Sequence, residues 1–260
     1  MNDSRSSNLP GSHGIPEVEL ESAQTPHPHI VRSFDEQIGK LRSLMLEMGG
    51  IVEAQVHDAV AALLDENIEQ AREVIARDQV VNGLGVQLDE EVVNFIALRQ
   101  PMGGDLRTVV SIAKAVTDLE RIGDEAEKIA RMAVQMYGGD SSPPKKRLLR
   151  HIRPMAKRAS ELLRDSLNSF VRLDLVAAVS VWKGDEELDQ DLQSALRELM
   201  TYIMEDPRTI GHAMKVVWVV KALERIGDHA KNISEYTIYL VKGKDVRHVS
   251  ADVLTHDALD

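Results

Sequence analysis

The chain has 260 residues, with 31 Lys and Arg against 42 Asp and Glu, a formal charge of −11, and no cysteine. That balance opposes non-specific nucleic-acid binding, which needs a basic footprint. The absent thiols exclude disulfides, thiolate metal sites and cysteine catalysis. With 43% hydrophobic but only 3% aromatic residues, the core must be aliphatic, and no apolar run reaches the ~18 residues of a membrane span.

Residues 1–32 are rich in Ser, Pro, Gly and His and lack the apolar stretch of a signal peptide, so they read as a disordered tail that includes His27 and His29. From there Phe34, Ile38, Leu41, Met45, Met48, Val52, Gln55, Ala59 and Ala62 step alternately by four and three, the rhythm of a helix packed along its length. Ser33 with Glu36 predicts its capping box, and Asn67 with Gln70 predicts another at the start of a second helix. Pro101, Gly103 and Gly104 break the chain before Asp105, a predicted N-cap. The third helix carries the seam Ile112, Val116, Leu119, Gly123, Ala126, Ala130, Ala133 and Tyr137. A linker follows at 138–144, and a similar series begins near Lys145. Asp174 predicts the cap of its middle helix, Asp206-Pro207 opens the last, and Gly243 ends it. Residues from 244 read as a short acidic tail. No segment alternates with period two for long enough to be a strand.

The two halves are copies. Leu-Glu-Arg-Ile-Gly-Asp occurs at Leu119–Asp124 and again at Leu223–Asp228. Laying Glu120 on Glu224 places Val116 on Val220, Ala126 on Ala230 and Ile129 on Ile233. Further upstream the offset grows by three, placing Asn67 on Asp174 and Asp78 on Asp185. A repeat of this length sets the architecture before any finer reading. The prediction is an all-α protein of two tandem, pseudo-symmetric three-helix bundles, 33–137 and 145–243, with six long helices.

Both hexapeptides put a Glu and an Asp one helical turn apart, Glu120 with Asp124 and Glu224 with Asp228. Reflecting each chain about its short interhelical loop brings Asp78 and Asn82 to the height of the first pair, and Asp185 and Asp189 to that of the second. Facing carboxylates repel unless a cation or proton intervenes, and oxygen ligands suit hard cations. Spacing alone favours the alternative, a solvated, salt-bridged face; the recurrence in both copies at matching heights leaves both open. Asn82 in place of an acid predicts that the first site is the weaker. His229, beside Asp228, is a lesser candidate ligand. Arg121 and Arg225 suit ion pairs or an interface, and Gly123 and Gly227 suit close helix approach. No glycine-rich phosphate loop, serine-nucleophile motif or Glu-x-x-His pattern is found.

The segment IALRQPMGGDLRTVVSIAKAVTDLERIGDEAEKIA resembles the first-repeat signature of the PhoU family of phosphate-specific transport accessory and regulatory proteins, and ALERIGDHAKNISEYTIYLVKG resembles its second. The resemblance runs from about Val31 to Lys244. It implies two symmetric three-helix bundles whose carboxylates hold multinuclear iron, or zinc, manganese or another divalent metal. Carried over residue by residue, the implied ligands are Glu120, Asp124, Asp78, Asp185, Asp189, Glu224 and Asp228, with Asn82 departing from the motif. It also implies a cytoplasmic, non-enzymatic negative regulator of phosphate uptake and of the phosphate-starvation response. The implied partners are the ATPase of the phosphate ABC transporter, the sensor histidine kinase and a second copy in a homodimer, with membrane contact only through partners. A carboxylate-bound metal store or a metal-dependent phosphohydrolase is the alternative.

Overall fold

The computed structural model describes residues 28–139 and 143–246, with side chains from 35 onward. Six α-helices succeed one another: α1 Pro28–Leu64, α2 Ile68–Arg99, α3 Gly104–Tyr137, α4 Ile152–Arg172, α5 Leu175–Glu205 and α6 Ile210–Lys242. Short 3-10 turns at Lys146–Leu149 and Pro207–Thr209 lead into α4 and α6, and no strand occurs among the described residues. The predicted all-α architecture is therefore what forms.

Local chemistry explains most of the boundaries. Asn67 accepts from the Gln70 amide and Asp174 from the Ala177 amide, each satisfying an orphan N–H of a first turn. Asp206 accepts from the Arg208 amide ahead of Pro207, and Gly243 ends α6 at φ 71° with its N–H returned to Tyr239 O. Two predicted caps are displaced. α1 begins at Pro28, so Ser33 lies inside the helix rather than capping it; proline suits a first helical position because it lacks an N–H that would go unpaired there. Asp105 sits in the first turn of α3, and the N-cap is Gly103, at φ 57°. The predicted disordered tail is thus helical in backbone at 28–32, while the rest of it, linker residues 140–142 and residues 247–260 lie outside the described residues. The C-terminal tail starts against the second bundle, where Val246 packs with Ala178, Val179 and Ile238. α4, with 21 residues, is also shorter than the long helix predicted, against 37 in α1.

Within each bundle consecutive helices run antiparallel. Lys40 meets Glu91 and Gln55 meets Asp78 between α1 and α2. Arg150 meets Glu198 and Arg158 meets Asp191 between α4 and α5. The predicted seam of α3 is buried from Ile112 to Ala133, and its counterparts Val216, Val220, Leu223 and Ala230 are buried in α6. Gly123 and Gly227 are where α3 and α6 approach α2 and α5: a Cβ on Gly123 would lie 3.3 Å from Asp78 Oδ1, and one on Gly227 2.5 Å from a Leu188 methyl.

The bundles do not stand apart. α3 and α6 pack along each other and α1 touches α4, so one core runs through all six helices. Lys114 lies over the rings of Tyr236 and Tyr239 while Lys215 Nζ donates to Gln135 O, which makes α3 and α6 antiparallel. α3 is consequently buried on a second stripe, through Ser111, Ala115, Asp118, Ile122, Glu125 and Ile129.

Candidate functional site

Each bundle carries an acidic patch where its third helix meets its middle helix. In the second, Glu224, Asp228, Lys231 and Glu235 succeed one another by four, three and four along α6 and so share a face. That face meets α5. Asp185 is 1% exposed, and its Oδ2 accepts from Lys231 Nζ at 2.8 Å. Trp182 Nε1 donates to Glu235 Oε1 at 3.0 Å, and the Lys231 ammonium lies 4.5 Å from the Trp182 ring centroid. Asp185 Oδ1 is buried with no hydrogen-bond partner.

Electrostatics reflect that crowding. Burial, then the charges of Asp228 and Asp189, push the Glu224 carboxyl up to about 7. Partial burial and Asp189 raise Asp228, although its side chain keeps a solvent-exposed face. Burial raises Asp185 against the pull of Lys231. For Lys231, burial favours the neutral amine, but the Asp185 hydrogen bond and the charges of Asp185, Glu235 and Asp228 outweigh it and hold the ammonium.

The raised Glu224 carboxyl gives a pH prediction. A folded-state value above the ordinary 4.5 means that folding favours the protonated form. The associated stability is present below 4.5 and is lost as pH rises through about 7. Melting temperatures measured across that window should decline, and Glu224→Gln should flatten the decline. An unchanged slope in the variant would assign the effect elsewhere.

The first bundle treats the matching aspartate differently. Asp78 is 7% exposed and accepts from two carboxamides, Gln55 Nε2 at 3.2 Å and Asn82 Nδ2 at 2.9 Å. Its carboxyl is raised by burial and by the charges of Glu127 and Asp124. Glu120 leans over Gly85, where a Cβ would collide with its carboxylate, and it is raised by burial, Asp89 and Asp124. Arg121 pairs with Asp124 at 3.5 Å. The reflection about the loops thus set Asp78 and Asp185 at the correct heights, beside Gly123 and Gly227. Asn82 faces Asp78 rather than Glu120.

The seven acids carried over by resemblance lie on these two patches, yet they do not close into a coordination shell. Among the described residues no three Asp, Glu or His side chains converge to hold an ion. The donors are of the class that a hard cation takes, but both buried aspartates are already committed, one to carboxamides and one to an ammonium. The arrangement does not fit the implied metal cluster.

His229 is engaged across the contact between bundles, with its Nδ1 2.8 Å from Asp118 Oδ1. Asp118, 6% exposed, also accepts from Asn232 Nδ2 at 3.0 Å and from the Tyr236 hydroxyl at 2.8 Å. Glu125, 3% exposed, pairs with Arg225 and with Lys128, each at 2.9 Å. Arg225 thus serves the interface, one of the two roles its place in the sequence suits. Asp118, Glu125, Lys231 and Trp182 do not stand out in the spacing of the acidic pairs. The four-three rhythm of Ser111, Ala115, Asp118, Ile122 and Glu125 is the signal that could have found the first two.

Comparison with known proteins agrees with this architecture. The PhoU domain model matches residues 45–133 and 152–237, once in each bundle. The chain is 46% identical over 227 residues to the phosphate-specific transport system accessory protein PhoU homolog of Pseudomonas putida, covering 87% of this chain and 88% of that one. It is 39% identical over 226 residues to the phosphate-specific transport system accessory protein PhoU of Escherichia coli K12, covering 87% and 92%. The crystal structure of PhoU from Pseudomonas aeruginosa superposes with a TM-score of 0.76 at 44% identity, over 81% of this chain and all of that one. The phosphate transport system regulatory protein PhoU of Streptococcus pneumoniae gives 0.75 at 28% identity, over 82% and 99%. With the domain present in both halves and relatives matched over nearly their full length, the chain belongs to the PhoU family.

Proposed function

We propose that this chain is an accessory protein of the phosphate-specific transport system that acts by binding rather than by catalysis. In this reading it works in the cytoplasm. It holds the transporter ATPase and the phosphate sensor kinase in a restrained state when phosphate is plentiful, as a homodimer. The observation that carries the reading is the double domain match together with the accessory role that relatives of 46% and 39% identity are named for.

The surface suits docking. A groove of about 900 Å³ between α1 and α4 has acidic Glu53 and Asp65 on one wall and basic Arg153 and Arg164 on the other. At the turn between α5 and α6, Met200, Met204, Ile210, Met214 and Trp218 stand exposed. Flexible methionines and an exposed tryptophan are adaptable contacts for partner helices. No helix among the described residues is long and apolar enough to cross a membrane.

Deleting the gene should raise starvation-gene expression and phosphate uptake in phosphate-rich medium. Unchanged expression and uptake would sink the reading and leave a metal store or a metal-dependent phosphohydrolase. The latter needs an open coordination position and a base, and an assay of phosphoester hydrolysis with added manganese or iron separates it from a binding protein.

A further inference from the structure

We propose that Lys231 is the resident cation of the second acidic patch, so that in this chain the patch is an internal ion pair from which a divalent metal is excluded.

A carboxylate that is 1% exposed needs compensation, and at Asp185 the compensation is the Lys231 ammonium at 2.8 Å. The lysine is held in place from its other side. Its ammonium rests on the Trp182 face, 4.5 Å from the ring centroid, and the indole is tied by its N–H to Glu235. A cation over an aromatic face is attracted to it, and more strongly when desolvated; the Lys231 side chain is 24% exposed.

The repeat supplies the control. The residue of α3 that matches Lys231, 104 positions earlier, is Glu127, of opposite charge, and it pairs with Arg131. The residue that matches Asp185 is Asp78, and two neutral carboxamides satisfy it. The fold therefore does not demand an ammonium at this position. The second bundle has one, and it introduces a positive charge beside Asp185, Asp228 and Glu235. A divalent ion entering there would meet like charge at close range and would have to displace the lysine from a partly buried pair.

The state of Asp185 Oδ1 shows how the patch would respond to losing the ammonium. That oxygen is buried and unpartnered even with Lys231 in place. Without the lysine both oxygens would lack a partner, beside Asp228 and Glu224, and the patch would then favour a hard divalent cation.

The test uses the full chain and Mn²⁺, monitored by electron paramagnetic resonance and calorimetry. Glu120→Gln with Asp124→Asn removes acids from the first patch, so that the second is read alone. In that background the chain with Lys231 should bind Mn²⁺ weakly or not at all. Lys231→Met keeps the aliphatic stem and should tighten binding on the scale of about 10- to 100-fold by which neighbours of a metal site alter its affinity, to one ion per chain. Asp228→Asn should abolish the gain. Equal Mn²⁺ affinity with and without Lys231 overturns the proposal, and so does a Lys231→Met chain that gains no binding. Lys231→Gln repeats the test if the Met variant loses its helical circular dichroism.

Discussion

Replacing Leu119 by Asp, or Leu223 by Asp, is expected to remove most of the stability of the protein. Both side chains are fully buried, at 0% exposure, at equivalent points of the two central helices. Truncating either to Ala would cost ~2–5 kcal/mol through lost transfer and a residual cavity. An aspartate adds an uncompensated buried charge, worth a further ~3–5 kcal/mol before any protonation relieves it. Against a typical total of ~5–15 kcal/mol, the sum approaches complete unfolding at ambient temperature. Thermal melts of the Ala and Asp variants read the two steps separately. The effect should be of similar size in both halves, because Leu119 and Leu223 face the same kind of seam in α3 and α6. Near-normal melting of both Asp variants would place the core elsewhere.

Much of this arrangement could be read from local pattern. Caps such as Asn67 and Asp174 are decided within three residues of themselves, and Gly243 by its own φ. The heptad seam of α3 needed only the spacing of its apolar residues. Local pattern is silent where the deciding partner is distant in sequence. Ser33 and Glu36 form a plausible cap, but the chain continues as helix back to Pro28, so the local motif is overridden. Spacing put the carboxylates at the correct height without showing what would meet them. Asp78 finds Gln55 on α1, while Asp185 finds Lys231 one turn beyond the repeated hexapeptide. Both pairings depend on side-chain rotamers, and that of Asp78 also on a third helix, which no period encodes. The stripe through Asp118 and Glu125 was periodic, yet acids in a heptad rhythm ordinarily signal a solvated face. Only the docking of a second bundle turns that face inward.

Asp118→Ala should uncouple the two bundles. One carboxylate, 6% exposed, accepts hydrogen bonds from three residues of α6: His229, Asn232 and Tyr236. Removing it leaves those groups half-buried without that acceptor, and each unsatisfied group costs ~1–3 kcal/mol, with charged acceptors at the upper end. The loss therefore amounts to several kcal/mol, concentrated on the contact between α3 and α6 rather than within either bundle. Urea unfolding should shift to lower denaturant and broaden, as the halves begin to unfold separately. A double-mutant cycle isolates the cause. Tyr236→Phe should destabilise the wild-type chain and have much less effect once Asp118 is Ala, since the bond it removes is already gone. Fully additive costs would show that Tyr236 and Asp118 are not coupled. Asp118→Asn refines the reading, because its amide keeps one acceptor but turns a donor toward one of the three donors from α6. It should fall between wild type and Ala in stability, and a variant as stable as wild type would mean that the carboxylate charge contributes nothing to holding the bundles together.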